Sequence, residues 1–168
     1  MKILAELSEK SLGINDQQSI IGENYKLRKS ARAILLNVDG CMALQHIKKY
    51  QYHKLPGGGM EVGEEIEDTL HREIKEEVGC ALKITQPVGM VIEYRAGLIQ
   101  LVYCFTATVV GDIGAVQYDL EEQENDQQTI WLPPKECLRL LQADSIRVEE
   151  GQFVVHREVA FLREFLNV

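Results

Sequence analysis

Three glutamates, Glu73, Glu76 and Glu77, sit in a run from Glu64 to Val78 that contains no proline or glycine. Ile66, Leu70, Ile74 and Val78 recur every fourth residue, the spacing of an apolar helical stripe. Gly79 suits the end of that helix. At about 100° per residue, Glu76 lies roughly 60° to one side of Glu73 and Glu77 roughly 40° to the other. Like charges three or four residues apart cost roughly a few tenths of a kcal/mol per pair, so the arrangement gains nothing by itself. It becomes favourable when a hard cation sits among the oxygens, and carboxylates suit Mg²⁺ or Mn²⁺. Arg72, next to Glu73, is placed to orient one carboxylate and limit repulsion. Just before the helix comes Leu55-Pro56-Gly57-Gly58-Gly59, a loop that lets backbone approach a ligand closely. Its N–H groups and carbonyls offer positions for phosphate and for a further metal ligand. Taken alone, a charged run is a solvated helix face and a Pro-Gly segment is a turn. The two together at this spacing favour the chemical reading.

The stretch Leu55–Cys80 resembles the Nudix box of the Nudix (MutT-like) hydrolases. That pattern is Gly, five residues, Glu, seven residues, Arg-Glu-aliphatic, one residue, Glu-Glu, one residue, Gly-aliphatic. Gly58, Glu64, Arg72, Glu73, Ile74, Glu76, Glu77 and Gly79 fall in register. Cys80 replaces the final aliphatic residue and is small and apolar when buried. The resemblance implies an α/β (α+β) fold, a mixed β-sheet sandwiched between helices. It implies one domain over residues 1–168, with an N-terminal extension at 1–24 and the box at 58–80. It further implies Mg²⁺ held by Glu73, Glu76 and Glu77, with the Gly57 carbonyl as a further ligand, and Arg72 orienting Glu73. The general base would be Glu73, or a carboxylate from a later acidic loop; Glu122 is the choice there, with Glu121 and Glu124 close behind. Gly58, Gly59, Lys54 and Arg32 are the expected substrate contacts.

The reaction implied is hydrolysis of a pyrophosphate bond in a nucleoside diphosphate derivative. Negative charge on the phosphates and the weakness of water as a nucleophile limit it, and divalent metals address both. Signatures that mark family branches were sought beyond the box. The proline of ADP-ribose types would fall at Arg95 or Ala96, and the tyrosine of dinucleoside-polyphosphate types lies beyond Tyr94. Elimination leaves a nucleoside triphosphate, including oxidised or non-standard ones. ADP-ribose, nucleotide sugars and dinucleoside polyphosphates stay open as alternatives. So do a nucleotide-sensing module that does not cleave and an acidic helix that docks a basic partner.

The 168 residues fit one domain with a sizeable core. A formal charge of −8 makes the chain a poor non-specific binder of nucleic acid or anionic membrane. The same charge repels a polyphosphate at long range, so such a substrate needs metal ions and a local cationic patch. Cys41, Cys80, Cys104 and Cys137 are too scattered for zinc or a disulfide framework and are expected as buried thiols. His46, His53, His71 and His156 show no ligand spacing. No apolar run reaches membrane-spanning length, and the start MKILAELSEK lacks a signal-peptide core, so the cytoplasm is the expected compartment.

Along the chain, Lys2–Leu7 reads as a strand and Ser8–Asn24 as a loop. This extension could sit on a sheet edge or pair with a second copy in a homodimer. Tyr25–Val38 moves from alternating basic residues into a buried strand, Asp39-Gly40 marks a hairpin, and Cys41–Ile47 returns. The cluster Lys48, Lys49, Tyr50, Tyr52, His53 and Lys54 leads into the glycine loop and is a candidate for substrate contact, as are Arg28, Lys29 and Arg32. Strands are expected around Val88–Tyr94 and over Leu98–Val110, with a turn at Arg95-Ala96-Gly97. Gly111–Gln128 reads as a long acidic loop, Thr129–Leu132 as a strand, and Lys135–Gln142 and Phe153–Leu166 as helices. Arg157 and Arg163 are expected to face outward.

Overall fold

The computed structural model describes residues 1–14, 25–95, 97–144, 146 and 148–168. Positions 15–24 of the expected loop and Ala96 of the expected turn lie outside them. The strands are β1 (Ile3–Ser8), β2 (Lys26–Leu36), β3 (Met42–Ile47), β4 (Tyr52–Lys54), β5 (Ala81–Arg95), β6 (Leu98–Val110) and β7 (Gln127–Leu132). The helices are α1 (Ile66–Glu77), α2 (Leu120–Glu124), α3 (Pro134–Ala143) and α4 (Glu149–Leu166). The strands form one mixed sheet in the order β1-β5-β6-β2-β3-β4, with β7 on β3. Of the two expectations for the extension, β1 takes the sheet edge, parallel to β5.

Alternation along the strands builds two cores. On one face Ala31, Ala33, Leu35, Phe105 and Ala107 meet Leu70 and Ile74 of α1 and Val78, which caps its end. On the other, Ile34, Leu44, Val91 and Val102 meet Cys137 and Leu141 of α3 and Phe153, Phe161 and Leu162 of α4. Helices therefore cover both sides of the sheet. Cys80, Cys104 and Cys137 are buried free thiols, while Cys41 is only half-buried.

Several boundaries depart from the sequence reading. β5 begins at Ala81 rather than near Val88, because it pairs with β6 from Ala81↔Val110 to Arg95↔Leu98. Register shifts at Ile84/Gln86 and Pro87/Gly89 accommodate Pro87 within the strand. The long acidic loop contains α2 and the start of β7, and the basic-aromatic segment contains β4. α4 starts four residues before Phe153; Glu149 and Glu150 lie in its first turn, where the helix dipole favours carboxylates.

The largest correction concerns Arg157, which is not outward but 1% exposed. Its Nη1 donates to Glu93 Oε1 at 2.6 Å and its Nη2 to Glu158 Oε1 at 2.7 Å. Burial alone would raise Glu93, but Arg157 and Arg95 hold it below the usual carboxylate range. A carboxyl depressed by folding stabilises the fold above its unfolded pKa, and that contribution fades as pH falls through the folded value. Removing one partner of a buried pair costs about 3–5 kcal/mol. Arg157→Met is therefore expected to lose about that much stability in denaturant titrations near neutral pH. The gap between wild type and Glu93→Gln should narrow when the titration is repeated at about pH 3.5.

Candidate active site

The glycine loop is held as an extra strand on the free edge of β2. Ala31 N–H donates to the Gly58 carbonyl, Ala33 N–H to the Pro56 carbonyl and Met60 N–H to the Lys29 carbonyl, at 2.9–3.0 Å. Gly57 has φ +128°, and a Cβ there would run into the Ala31 carbonyl. At Gly58 a Cβ would overlap the Glu73 carboxylate. The loop thus packs between β2 and α1 with backbone in the way of any side chain at Gly57, while at Gly58 the obstacle is the end of the Glu73 side chain. β2 and β3 share a single Cα pairing, Leu36↔Met42, and diverge beyond it. A cleft of about 400 Å³ opens beside the loop.

The three helix carboxylates are not equivalent. Glu77 turns inward, with its side chain 1% exposed. Its Oε2 accepts from the Gly57 N–H at 2.6 Å, and its Oε1 from Lys54 Nζ at 3.1 Å and Gln127 Nε2 at 2.9 Å. Burial would raise it, but Lys54, the Gly57 amide and Arg32 together hold it below the usual range. Glu73 is partly buried, and burial followed by the neighbouring Glu77 charge pushes its carboxyl up. Glu76 is the most open of the three, with a side chain 41% exposed. The even acidic arc expected on the helix surface becomes a gradient because Glu77 lies under the glycine loop.

Arg72 ties the outer part together. It donates from Nε to Glu64 Oε1 at 2.8 Å, from Nη1 to Glu73 Oε1 at 2.8 Å and Glu76 Oε2 at 3.2 Å, and from Nη2 to the Gly59 carbonyl at 2.9 Å. The hydrogen bond from Arg72 is the main reason Glu64 drops to about 2. Arg72 therefore contacts the carboxylate it was expected to orient.

The segment 111–119 docks on the C-terminal end of α1: Gly114 N–H donates to the Gly79 carbonyl and Gln117 N–H to the Glu76 carbonyl. It delivers α2, whose Asp119 caps the helix by accepting from the Glu122 N–H at 2.8 Å. Glu122 Oε1 accepts from Gln127 Nε2 at 3.4 Å, the same amide that donates to Glu77. Burial, and then the Glu77 charge, raise Glu122 to about 7. Gln127 carried no signal in the sequence; only the return of β7 beside β3 places it between the two carboxylates.

Of the residues expected from sequence, Gly57, Gly58, Gly59, Glu73, Glu77, Glu122, Lys54 and Arg32 line the cleft, as do Arg28 and Glu121. Arg72, Glu76, Lys29 and Glu124 do not. Lys54 places its ammonium on Glu77. The opposite end of the cleft includes Arg95, Gln100 and Arg157, none of which was anticipated. The one hint in sequence was the alternation of Arg28, Ser30 and Arg32, which sends all three to one face of β2.

Among the described residues no three His, Cys, Asp or Glu side chains already stand together as an ion site. The side chains of Glu73 and Glu76 are drawn onto Arg72 instead. The donor chemistry nevertheless fits a hard divalent cation: Glu73, Glu76, Glu77 and the Gly57 carbonyl supply oxygens only. Glu73 and Glu122 are pushed up by burial first and by the Glu77 charge second, and a cation beside them would offset that second effect.

The family model described as NUDIX domain matches residues 26–153. No curated protein matches the chain in sequence. Among solved structures, the ORF135 protein of E. coli is 19% identical with a TM-score of 0.60, covering 85% of this chain and 91% of that one. A NUDIX hydrolase from Nitrosomonas europaea is 20% identical with a TM-score of 0.61, covering 84% and 90%. A MutT protein from Methanosarcina mazei Go1 is 17% identical with a TM-score of 0.58, covering 86% and 99%. At these identities the likeness concerns the fold.

The two glycines give a paired prediction. Gly57→Ala meets backbone and a left-handed φ and is expected to lose about 1–3 kcal/mol in thermal denaturation. Gly58→Ala meets only a movable carboxylate and should keep a Tm close to wild type.

Proposed function

The chain belongs to the Nudix family, and from that premise we propose that it is a Mg²⁺-dependent hydrolase of a pyrophosphate bond in a nucleotide-type substrate. A nucleoside triphosphate, including oxidised or non-standard ones, is the first substrate class to test. Mn²⁺ is the alternative ion, and the cytoplasm the setting in which the reaction is placed.

One observation carries the reading. Glu73, Glu77 and Glu122 come from two separate helices yet line the same cleft as the glycine loop and Arg32. Glu73, Glu76, Glu77 and the Gly57 carbonyl would hold the cation, which when bound neutralises phosphoryl charge and makes water a better nucleophile. Arg72 keeps Glu73 oriented and steadies the loop through the Gly59 carbonyl. The glycine loop approaches the phosphates closely and leaves room for them beside β2. Glu122 accepts the proton from the attacking water, with Glu73 as the second candidate for that role. Gln127 holds Glu122 beside Glu77 and so fixes where the proton goes. A general base of this kind contributes typically about 10²–10⁴-fold.

The test is chromatographic detection of product release (phosphate or pyrophosphate plus a nucleotide, or two phosphorylated halves) from a panel of triphosphates, nucleotide sugars and dinucleoside polyphosphates, with and without Mg²⁺. Glu122→Gln is expected to lower kcat by about 10²-fold or more while the protein stays folded. Glu77→Gln should abolish most turnover. Unchanged rates in Glu77→Gln would remove the helix from the mechanism, and no metal-dependent release from any substrate would favour a sensing module.

A further inference from the structure

The end of the cleft away from α1 is lined by arginines, two of them buried. Arg28, Arg32, Arg95 and Arg157 all line it; Arg28 is exposed, and the carboxylates beside the group are the buried Glu93 and Glu158 and the open Glu150, 3.9 Å from Arg95. Arg157 takes the accepting oxygens first, donating to Glu93 Oε1 and, through Nε and Nη2, to Glu158 Oε1. Arg95 shares Glu93 through Oε2 at 2.6 Å. Arg32 is left over. Its side chain is only 10% exposed, yet its Nε is 3.7 Å from Glu158 Oε1, beyond hydrogen-bond reach. The donation from its Nη1 goes to the adjacent Ala31 carbonyl at 3.2 Å. Both Arg32 Nε and Arg95 Nε are buried without a partner. The third such atom, Glu158 Oε2, belongs to a residue that is not on the cleft lining.

Buried donors left unpaired cost about 1–3 kcal/mol each. Two guanidinium groups, Arg32 and Arg157, also repel each other in the same low-dielectric wall. A purely structural cluster would be expected to balance its charges and satisfy its donors. This one leaves donors over, and they sit on a cleft. Arg28 adds an exposed guanidinium on the same face of β2, close against Gly59. In a chain of net charge −8, such a patch is what an anionic ligand needs to enter.

We propose that Arg32 and Arg28, with Arg95 behind them, form a metal-independent oxyanion subsite that takes a phosphate group of the ligand lying beyond those at the carboxylate end. Guanidinium groups match phosphate oxygens in geometry and stay charged, so they hold such a group without a cation. The consequence for substrate choice rests on the hydrolase reading above: the preferred substrate carries an additional phosphate, rather than a neutral sugar or base alone, on the far side of the scissile bond. Phosphate binding itself does not depend on that reading.

The probe is inorganic phosphate, titrated by calorimetry and ³¹P NMR into the full chain in EDTA, so that the carboxylate end is without a divalent ion. Saturable binding is expected. Arg32→Met should weaken it at least about tenfold, as the loss of a charge-assisted contact requires. Arg32→Lys should recover part of it. Arg28→Ala lies on the surface, leaves folding unaffected and should weaken it by a smaller factor, which keeps the test valid if Arg32→Met does not fold. Glu73→Gln should bind phosphate as well as wild type or better. Absence of binding without metal, or equal binding in Arg28→Ala and Arg32→Lys and wild type, would overturn the subsite. Binding that persists in a protein inactive toward every nucleotide would overturn the hydrolase reading and leave the subsite standing.

Discussion

A carboxylate 1% exposed to solvent is a severe constraint, and Glu77 imposes it on the whole site. A buried charge must be paired and hydrogen-bonded or it is strongly destabilising. Glu77 meets that requirement by drawing on four separate pieces of chain: the Gly57 amide, Lys54 from β4, the Arg32 charge from β2 and Gln127 from β7, whose amide also reaches Glu122 of α2. Its own carbonyl accepts from Thr129 Oγ1 at 3.0 Å, adding β7 a second time. The glycine loop, the end of the sheet and the second acidic helix are thereby brought to one point. Their relative positions follow from satisfying a single group.

The cleft that results has two electrical ends, and β2 serves both. Alternate residues of the strand point to opposite faces. Ala31 and Ala33 are small enough for the glycine loop and α1 to lie close on one side, where the carboxylates gather. Arg28, Ser30 and Arg32 face the other side, toward α4, where Gln100 donates to Ser30 Oγ at 3.2 Å and Arg157 neutralises Glu93 and Glu158. The glycine loop closes the gap left where β3 departs from β2. Acidic and basic walls then face each other across a space of about 400 Å³.

That polarity bears on how a hydrolase of this family is tuned. The box supplies the carboxylates and the loop, which concern the reaction itself. The remainder of the chain lines the rest of the cleft: Tyr50, Tyr52 and Val154 offer an apolar wall, and the arginines a cationic one. Glu122 belongs to neither group. It reaches the box only because segment 111–119 hydrogen-bonds to the end of α1 and because Asp119 starts a short helix at the right point.

The sequence by itself determined the parts whose physics is local. Apolar spacing at every fourth residue determined α1, a run rich in β-branched and aromatic residues determined β6, and the glycine run marked a loop whose backbone is approached closely. The spacing of Gly58, Glu64, Arg72, Glu73, Glu76 and Glu77 was enough to group them, and to suggest an arginine beside the carboxylate it contacts. Tertiary structure alone decided the inward turn of Glu77, the burial of Arg157 and the meeting of Gln127 with Glu122. Each depends on a partner 20 to 64 residues away: Gly57 for Glu77, Glu93 for Arg157, Glu77 for Gln127. An arginine on a helix reads as solvent-facing until a distant strand supplies carboxylates to bury it with, and no local pattern records that pairing.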